Sequence, residues 1–172
     1  MEIRFLTSDD ASEWWRLRLQ ALQGDPEAFS SSVEEHQALT SEDVAGRLGF
    51  RNEASFVAGA FDEGHLVGMA GFFREPGPKV RHKGRIWGVY LAPEHRGKGL
   101  GRKLLQVVIE RGIATPGLEQ ILLSVASTQT TAANLYRSLG FERIGMEPKA
   151  LKIGDRRIDE EYMALFVEQG QP

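Results

Sequence analysis

"VYLAPEHRGKGLGRKLL", residues 89–105, joins an apolar, strand-like run to an amphipathic helix through a glycine-rich turn. Gly97, Gly99 and Gly101 fall within this junction. A helix N-terminus exposes unpaired backbone N–H groups and a partial positive charge, and residues without Cβ let a phosphate approach these groups closely. The segment therefore predicts a phosphate or pyrophosphate site.

Two familiar phosphate loops have a different spacing. A Walker loop ends in Gly-Lys-Ser/Thr, whereas Lys98 is followed here by Gly99. A dinucleotide fingerprint that begins at Gly97 needs a glycine where this chain has Arg102. For the glycine triplet alone, a turn selected only for tight packing is an equal alternative. The rest of the sequence has to separate that alternative from anion binding.

The composition limits the classes of function. A chain of 172 residues with a 41% apolar share fits one domain, residues 1–172, with a sizeable core. A net charge of −3 without long runs of like charge indicates no nucleic-acid partner. The absence of cysteine excludes disulfides and thiol catalysis and fits a reducing compartment. With no signal-like start and no long apolar run, we expect a cytoplasmic protein without a membrane partner.

The residue pattern predicts an α/β (α+β) fold with seven strands and four helices. The segment 24–39 is polar and turn-rich, and we predict an adaptable loop there. In chain order the predicted elements are a strand (2–7), a helix (8–22), a short helix (41–50), two strands within 55–75 joined by a turn at 62–64, a strand (84–92), a helix (100–114), a strand (120–125), a helix (128–139) and two strands (141–153 and 157–167).

Two motifs together resemble one protein family. The segment 89–105 resembles the acyl-CoA binding motif of the GNAT superfamily of N-acetyltransferases, Arg/Gln-x-x-Gly-x-Gly/Ala, here Arg96, Gly99 and Gly101. Further along, "NLYRSLGFERIG", residues 134–145, is similar to the family's next motif. The order of elements also matches over nearly the whole chain. The resemblance implies one GNAT-like domain whose mixed, mostly antiparallel sheet is splayed between the fourth and fifth strands and flanked by about four helices.

The resemblance implies a binding site for the cosubstrate acetyl-CoA. Backbone amides from Gly97 to Arg102 would hold the pyrophosphate, and backbone groups of Val89 and Leu91 would pair with the pantetheine arm as with an added strand. Lys98 and Arg102 would attract the phosphates or remain solvated surface charges, and both alternatives stay open. The implied cofactor-binding residues are Val89, Tyr90, Leu91, Arg96, Gly97, Lys98, Gly99, Leu100, Gly101, Arg102, Asn134 and Tyr136.

Tyr136 is the candidate catalytic residue. Ala132, Tyr136 and Leu139 share one helix face, so core packing is the ordinary role of this tyrosine. At the matching family position its hydroxyl is expected near the thioester sulfur, where a phenol can protonate the departing thiolate. The implied reaction is direct attack of a primary amine on acetyl-CoA through a tetrahedral intermediate, with its oxyanion near the backbone N–H of Val89. We therefore expect an N-acetyltransferase with Tyr136 as general acid.

The chain departs from the family pattern at Arg85. Many members carry a glutamate at this place in the fourth strand, so the usual carboxylate base is absent. Glu34, Glu35, Glu75 and His82 are other candidates, although each is more typical of a solvated surface, and the base stays unassigned. The departure favours the alternative hypothesis, a non-catalytic acyl-CoA binding or sensor module. Histidines without metal-ligand spacing predict no metal site.

The acceptor site is implied to lie between the loop after the first helix, the fourth strand and the final hairpin. Its expected walls are Phe29, Glu34, Glu35 and Trp87, together with the acidic run at 159–161. Core packing for Trp87 and a solvated strand edge for the acidic run are the ordinary alternatives. Acidic walls would favour a cationic amine of a small molecule or peptide over one that carries a carboxylate. Folds of this kind commonly dimerise, so a homodimer is an open alternative.

Overall fold

Seven strands form one mixed sheet in the computed structural model, which describes residues 1–49 and 54–167. The strands are β1 (Glu2–Phe5), β2 (Ser55–Asp62), β3 (His65–Arg74), β4 (Lys83–Leu91), β5 (Gln120–Ala126), β6 (Glu142–Ile153) and β7 (Arg156–Phe166). The helices are α1 (Ala11–Gly24), α2 (Val33–Gln37), α3 (Ser41–Gly49), α4 (Leu100–Ile113) and α5 (Thr130–Ser138). The order across the sheet is β1-β2-β3-β4-β5-β7-β6, which confirms the predicted mixed sheet.

The sheet opens between β4 and β5. These neighbours run parallel and pair only where residues 83–85 face residues 120–122. Beyond that point β4 continues to Leu91 paired with β3, while β5 continues to Ala126 paired with β7. The predicted splay is therefore confirmed, and the far halves of β4 and β5 border a gap in the sheet.

A bulge bends β4 as it leaves β5. On β3, Gly71 faces Trp87 and Met69 faces Tyr90, so two residues of β4, Gly88 and Val89, occupy the space of one partner. Gly88 has a φ of 62°, in the left-handed region that favours glycine. Because a bulge increases the local bend and redirects the backbone, it turns this part of β4 away from a regular ladder.

Two apolar clusters cover the faces of the sheet. Leu17 of α1 and Met69 of β3 belong to one cluster, whereas Leu104 of α4 and Phe72 of β3 belong to the other. Alternate side chains of a strand point to opposite faces, so α1 and α4 pack on opposite sides of the sheet. Within residues 1–49 and 54–167, no helix is long and apolar enough to cross a bilayer.

The segment 24–39 contains more regular structure than the predicted loop. Pro26–Ala28 form a 3₁₀ turn, and α2 follows it. The described residues therefore contain five α-helices, one more than predicted. A capping box starts α2, because the Ser32 N–H donates to Glu35 Oε2 at 2.7 Å and the Glu35 N–H donates to Ser32 Oγ at 3.1 Å. The Ser-x-x-Glu spacing was a usable signal for this helix. Phe50, the last residue of the predicted helix 41–50, lies outside the described residues.

Candidate active site

The turn before α4 leaves its backbone open to a ligand. Gly97 and Gly99 have φ values of 75° and 77°, and a Cβ built on either would meet no atom within 4 Å. Tight packing therefore does not explain these two glycines, whereas their left-handed backbone does. Gly99 is the N-cap of α4, and the first N–H groups of a helix have no intrahelical acceptor. We call the backbone of residues 97–102 the glycine cradle.

Arg96 ties the cradle to the end of α1. Its Nε donates to the Leu91 carbonyl oxygen at 2.8 Å, and its Nη2 donates to Asp25 Oδ2 at 2.6 Å. The guanidinium carbon also lies 5.4 Å from the centroid of the Tyr90 ring. The motif arginine thus holds together the end of β4 and the loop that follows α1.

Lys98 and Arg102, the two cationic residues within 97–102, donate hydrogen bonds to nearby residues. Lys98 Nζ donates to the Glu94 carbonyl oxygen at 3.0 Å. Arg102 Nη2 donates to Ser138 Oγ at 2.6 Å, which links the start of α4 to the end of α5. Both cations are exposed, so their charge remains accessible to an anion over the cradle.

The helix α5 places the second motif beside the cradle. A Cβ built on Gly101 would lie 3.6 Å from Leu135 Cδ2, and Leu135 lies between Asn134 and Tyr136. Asn134 is exposed and its Oδ1 accepts a hydrogen bond from Arg137 Nη1 at 3.2 Å. The two sequence motifs therefore meet in space, at the start of α4.

Tyr136 is buried, with 6% of its surface exposed. Its ring packs edge-on against Phe141, with centroids 6.0 Å apart. Burial raises the pKa of Tyr136 above its usual value, because the phenolate is poorly solvated there. The phenol stays protonated at neutral pH, as a proton donor must.

Arg85 and Glu75 form an ion pair at the closed end of the gap. Arg85 Nε donates to Glu75 Oε1 at 2.5 Å. Glu75, one of the candidate bases, is therefore the counter-ion of Arg85, the residue that stands in place of the usual glutamate. His82 lies nearby, where its carbonyl oxygen accepts the Glu119 N–H at 2.8 Å. His82 is therefore next to the paired ends of β4 and β5, whereas the gap opens at their other ends.

A cavity of about 470 Å³ lies between the segment after α1 and the β6–β7 hairpin. Phe29 and Glu34 both line it, together with Ala150–Ile153 of β6. Hydrogen bonds to the Glu34 carboxylate from its own backbone and from Ser32 hold the pKa of Glu34 below its usual range, which makes it a weaker base. Phe29 and Glu34, two of the four residues expected to form the acceptor site, therefore line the same cavity.

The other expected walls are not among the residues that line this cavity. Trp87 lines a separate cavity of about 410 Å³ with Trp14 and Val44. The Glu35 carboxylate is occupied in capping α2. In the acidic run, Glu161 pairs with Arg137 at 2.6 Å, so its negative charge is compensated.

Arg18 of α1 is a buried charged residue beside the bulge of β4 and was not among the residues expected from the sequence. It is 7% exposed, and its guanidinium carbon lies 4.3 Å from the centroid of the Phe29 ring. Its Nη1 lies 3.6 Å from a Cβ built on Gly88 and has no hydrogen-bond partner among the described residues. Burial lowers the pKa of Arg18 to about 10, which still leaves it charged at neutral pH. The sequence signal for Arg18 is its position on the apolar face of α1, the face that also carries Trp14.

The chain matches a family model over most of its length. The model is described as the acetyltransferase (GNAT) family and covers residues 12–141. The chain therefore belongs to the GNAT acetyltransferase family. Among residues 1–49 and 54–167, no group of three histidine, aspartate or glutamate side chains is arranged to hold a metal ion.

Curated relatives carry several acetyltransferase names. An L-methionine sulfoximine/L-methionine sulfone acetyltransferase of Pseudomonas aeruginosa is 39% identical over 80 residues, 46% of this chain and 46% of the relative. A mycothiol acetyltransferase of Renibacterium salmoninarum is 27% identical over 140 residues, 81% of this chain and 39% of the relative. The chain therefore spans less than half of the length of either relative.

Solved structures share the fold. An acetyltransferase of the GNAT family from Streptococcus pneumoniae has a TM-score of 0.86 at 24% identity, with 96% of this chain and 99% of that chain covered. The yncA protein of Salmonella typhimurium, solved with its cofactor acetyl-CoA, has a TM-score of 0.83 at 24% identity and covers 100% of this chain and 97% of its own. These likenesses establish the GNAT fold for this chain.

Proposed function

We propose that the protein is an acetyl-CoA-dependent N-acetyltransferase that acts on a primary amine of a small molecule or peptide. The observation that carries this proposal is the open glycine cradle at the start of α4, beside the gap between β4 and β5. A pyrophosphate fits such a cradle because N–H groups and the helix dipole both favour an anion there. Membership of the GNAT acetyltransferase family supports the same function.

The residues around the gap suit the rest of acetyl-CoA. The edge of β4 from Val89 to Leu91 is free of β5, so the pantetheine amides would pair with it as an added strand does. Arg102 lies in the first turn of α4 and Asn134 in the middle of α5, and both would contact the coenzyme. Acetyl-CoA supplies a thioester carbonyl that an amine can attack.

Two groups of the chain would assist this attack. The amine nitrogen forms a bond to the carbonyl carbon, and the Val89 N–H within the bulge donates to the oxygen as negative charge develops. When the C–S bond breaks, Tyr136 donates its proton to the sulfur, the amine nitrogen releases a proton to solvent, and the Tyr136 phenolate takes up a proton from solvent. The raised pKa of Tyr136 keeps this proton in place until the thiolate forms.

The acceptor has to be a neutral amine when it attacks. For an amine of pKa about 10.4, loss of the proton at pH 7 costs roughly 4 to 5 kcal/mol, whereas for an α-amine near 8 it costs about 1 kcal/mol. Arg85 replaces the carboxylate that would serve as base in the fourth strand, and its partner Glu75 is paired. An acceptor with a low amine pKa is therefore the better match.

The names of the relatives indicate the range of acceptors. One is named for L-methionine sulfoximine and L-methionine sulfone, and another for mycothiol. We extend to this chain only the shared feature, acetyl transfer to a small molecule. The proposal also takes residues 1–172 as one domain in the cytoplasm, on the composition alone, and a homodimer stays a prediction.

Release of free thiol from acetyl-CoA tests the function. The acceptor panel contains polyamines, aminoglycosides, amino acids and peptide N-termini. We expect turnover with at least one amine, and Tyr136→Phe should lower kcat by about 100-fold without changing acetyl-CoA affinity.

The alternative, a non-catalytic acyl-CoA sensor, rests on Arg85. It predicts calorimetric binding of acetyl-CoA with no turnover on any amine of the panel. Absence of acetyl-CoA binding would contradict both functions.

A further inference from the structure

Arg18 is a buried cation that has no anionic partner within residues 1–49 and 54–167. The ion pairs of the described residues engage other arginines, among them Arg4, Arg85 and Arg96. Burial alone accounts for the lowered pKa of Arg18. His36 on α2 adds no second positive charge beside Arg18, because burial, and to a smaller extent the nearby Arg18, lower the pKa of His36. The positive charge of Arg18 is therefore left for another group to balance.

This arrangement is costly to the fold. A buried charge that lacks a hydrogen-bonded counter-ion loses its hydration without replacement. The ring of Phe29 offers a cation–π contact at 4.3 Å, which offsets only part of that loss. An apolar side chain of similar length would suit this position of α1 better if packing were its only role. The guanidinium is therefore best explained by a ligand.

The position of Arg18 indicates which of the two substrates supplies the anionic group. Its Nη1 points to Gly88 in the bulge, one residue before the Val89 N–H that we assign to the oxyanion. Its other face is covered by Phe29, which lines the cavity between the segment after α1 and β6. Arg18 thus lies between the acceptor cavity and the place where the acyl group reacts, on the opposite side of the sheet from Leu104 and α4.

We propose that Arg18 binds the carboxylate of the acceptor, so that the acceptors are amino acids or related amines with a carboxylate next to the amine. This inference rests on the proposed function and names its substrate class. It differs from the expectation of acidic walls: among these, Glu161 is paired, Glu35 caps α2 and Glu34 lines the cavity. A guanidinium binds a carboxylate through two parallel hydrogen bonds, which fixes the orientation of the amine beside it.

The same pairing helps the chemistry. A free carboxylate stabilises the neighbouring ammonium, and this raises the pKa of the amine. When Arg18 neutralises the carboxylate, the amine loses its proton more easily. A lower amine pKa matters most for an enzyme without a carboxylate base at this place in β4, where this chain has Arg85.

A comparison of matched acceptors tests the proposal. Each L-amino acid of a panel that includes L-methionine sulfone is assayed beside its own carboxamide. The carboxamide has the less basic amine, so an enzyme that ignores the carboxylate would prefer the carboxamide. We expect the wild type to prefer the acid by at least 10-fold in kcat/KM. Arg18→Met should lose roughly 10- to 100-fold with the acid and little with the carboxamide.

Two further variants control the result. Arg18→Lys keeps the charge and should retain part of the preference, while Arg16→Met removes an exposed arginine of the same helix and should leave the preference unchanged. Arg18→Met should keep the acetyl-CoA affinity and should raise the melting temperature or leave it unchanged, since it removes an uncompensated charge. An equal loss with acid and carboxamide would assign Arg18 to the acyl group and overturn the proposal, as would a lower melting temperature with an unchanged preference.

A binding measurement separates this proposal from the proposed function. Calorimetry with coenzyme A already bound follows the binding of the same amino acids without turnover. Binding of amino acids that Arg18→Met abolishes, with no thiol release from any acceptor, would support the carboxylate site and contradict the acetyltransferase. Turnover with amines regardless of a carboxylate would support the acetyltransferase and contradict the site.

Discussion

The two sides of the gap between β4 and β5 are built in different ways. On the side that we propose for the coenzyme, the coenzyme side, the glycine cradle is a continuous stretch of backbone, and its two key glycines have left-handed φ values. On the side that we propose for the acceptor, the acceptor side, Arg18 of α1, Phe29 of the following segment and the bulge at Gly88 come from distant parts of the chain. A backbone site is therefore encoded locally, whereas a side-chain site depends on the packing of the whole domain.

The two sides also differ in their cost to stability. Glycines in the left-handed region are nearly free of strain, so the cradle costs the fold little. A buried guanidinium without a counter-ion is expensive until its ligand arrives. Substitutions on the coenzyme side should therefore change coenzyme binding alone, while those on the acceptor side should change acceptor use, stability or both.

The largest effect is expected in the cradle. Gly99→Glu places a carboxylate where we assign the pyrophosphate and forces a strained φ, so acetyl-CoA binding should weaken by more than about 100-fold in calorimetry. Gly154→Glu is the matched control, because Gly154 also has a left-handed φ of 59° and open space around its Cβ position. Equal weakening by both variants would remove the cradle from the coenzyme site.

A smaller effect is expected at the start of α1, which carries Arg18. Two arginine nitrogens of Arg4 donate to the Asp10 carboxylate at 2.6 and 2.8 Å, and the Thr7 N–H donates to it at 2.8 Å. The hydrogen bonds from Arg4, followed by that from Thr7, hold the pKa of Asp10 below its usual value. Asp10→Asn should lower the free energy of unfolding at pH 7 by about 1.5 kcal/mol.

The lowered pKa of Asp10 determines how the stability difference between wild type and Asp10→Asn depends on pH. Because the folded pKa of Asp10 is below 3.8, its contribution is complete above that pH and is lost as the pH falls through the folded pKa. The difference between wild type and Asp10→Asn in thermal or urea unfolding should therefore shrink progressively as the pH falls below 3.8. A difference that is constant from pH 7 to pH 2 would show that the charge of Asp10 has no part in it.

Phe29→Leu should affect only the acceptor side. The substitution keeps an apolar side chain but removes the ring that covers the Arg18 guanidinium. Loss of a cation–π contact of about 1 kcal/mol predicts a fall of roughly 5-fold in kcat/KM for the acceptor. The acetyl-CoA dissociation constant, measured by calorimetry, should stay the same. A change in acetyl-CoA binding instead would erase the distinction between the two sides.

The smallest effect is expected for Arg102→Gln on the coenzyme side. Arg102 is exposed and donates to Ser138, so its attraction for a phosphate is screened by water and salt. Acetyl-CoA binding should weaken by about 2- to 3-fold at low salt and by less at high salt. A loss as large as that of Gly99→Glu would mean that side-chain charge, rather than backbone geometry, holds the coenzyme.

The coenzyme side was largely predictable from the sequence. The glycine spacing indicated an anion site, and the strand and helix around it were expected from residue periodicity. The splay of the sheet came from the family resemblance, and the structure confirms it. The short helix α2 has a local signal in its capping box, but the polar composition of 24–39 favours a loop over a helix.

The acceptor side was far less predictable. An arginine on a helix is usually solvent-exposed, and only the packing of α1 against β3 and the bulge at Gly88 shows that Arg18 is buried. The separate cavities of Phe29 and Trp87 likewise depend on how strands far apart in the chain curve. Such contacts follow from tertiary structure, which the spacing of residues along one element does not encode.

Arg96 gives the two sides a common support. Its bonds to Leu91 and Asp25 join the strand that would border the coenzyme to the loop that opens onto the proposed acceptor cavity. In kinetic terms, coenzyme that stiffens the end of β4 also steadies the loop after α1, so the acceptor should bind more tightly to the binary complex than to the free protein. Bisubstrate kinetics of this protein should then follow an ordered sequence with the coenzyme first, and one exposed arginine would set the strength of that order.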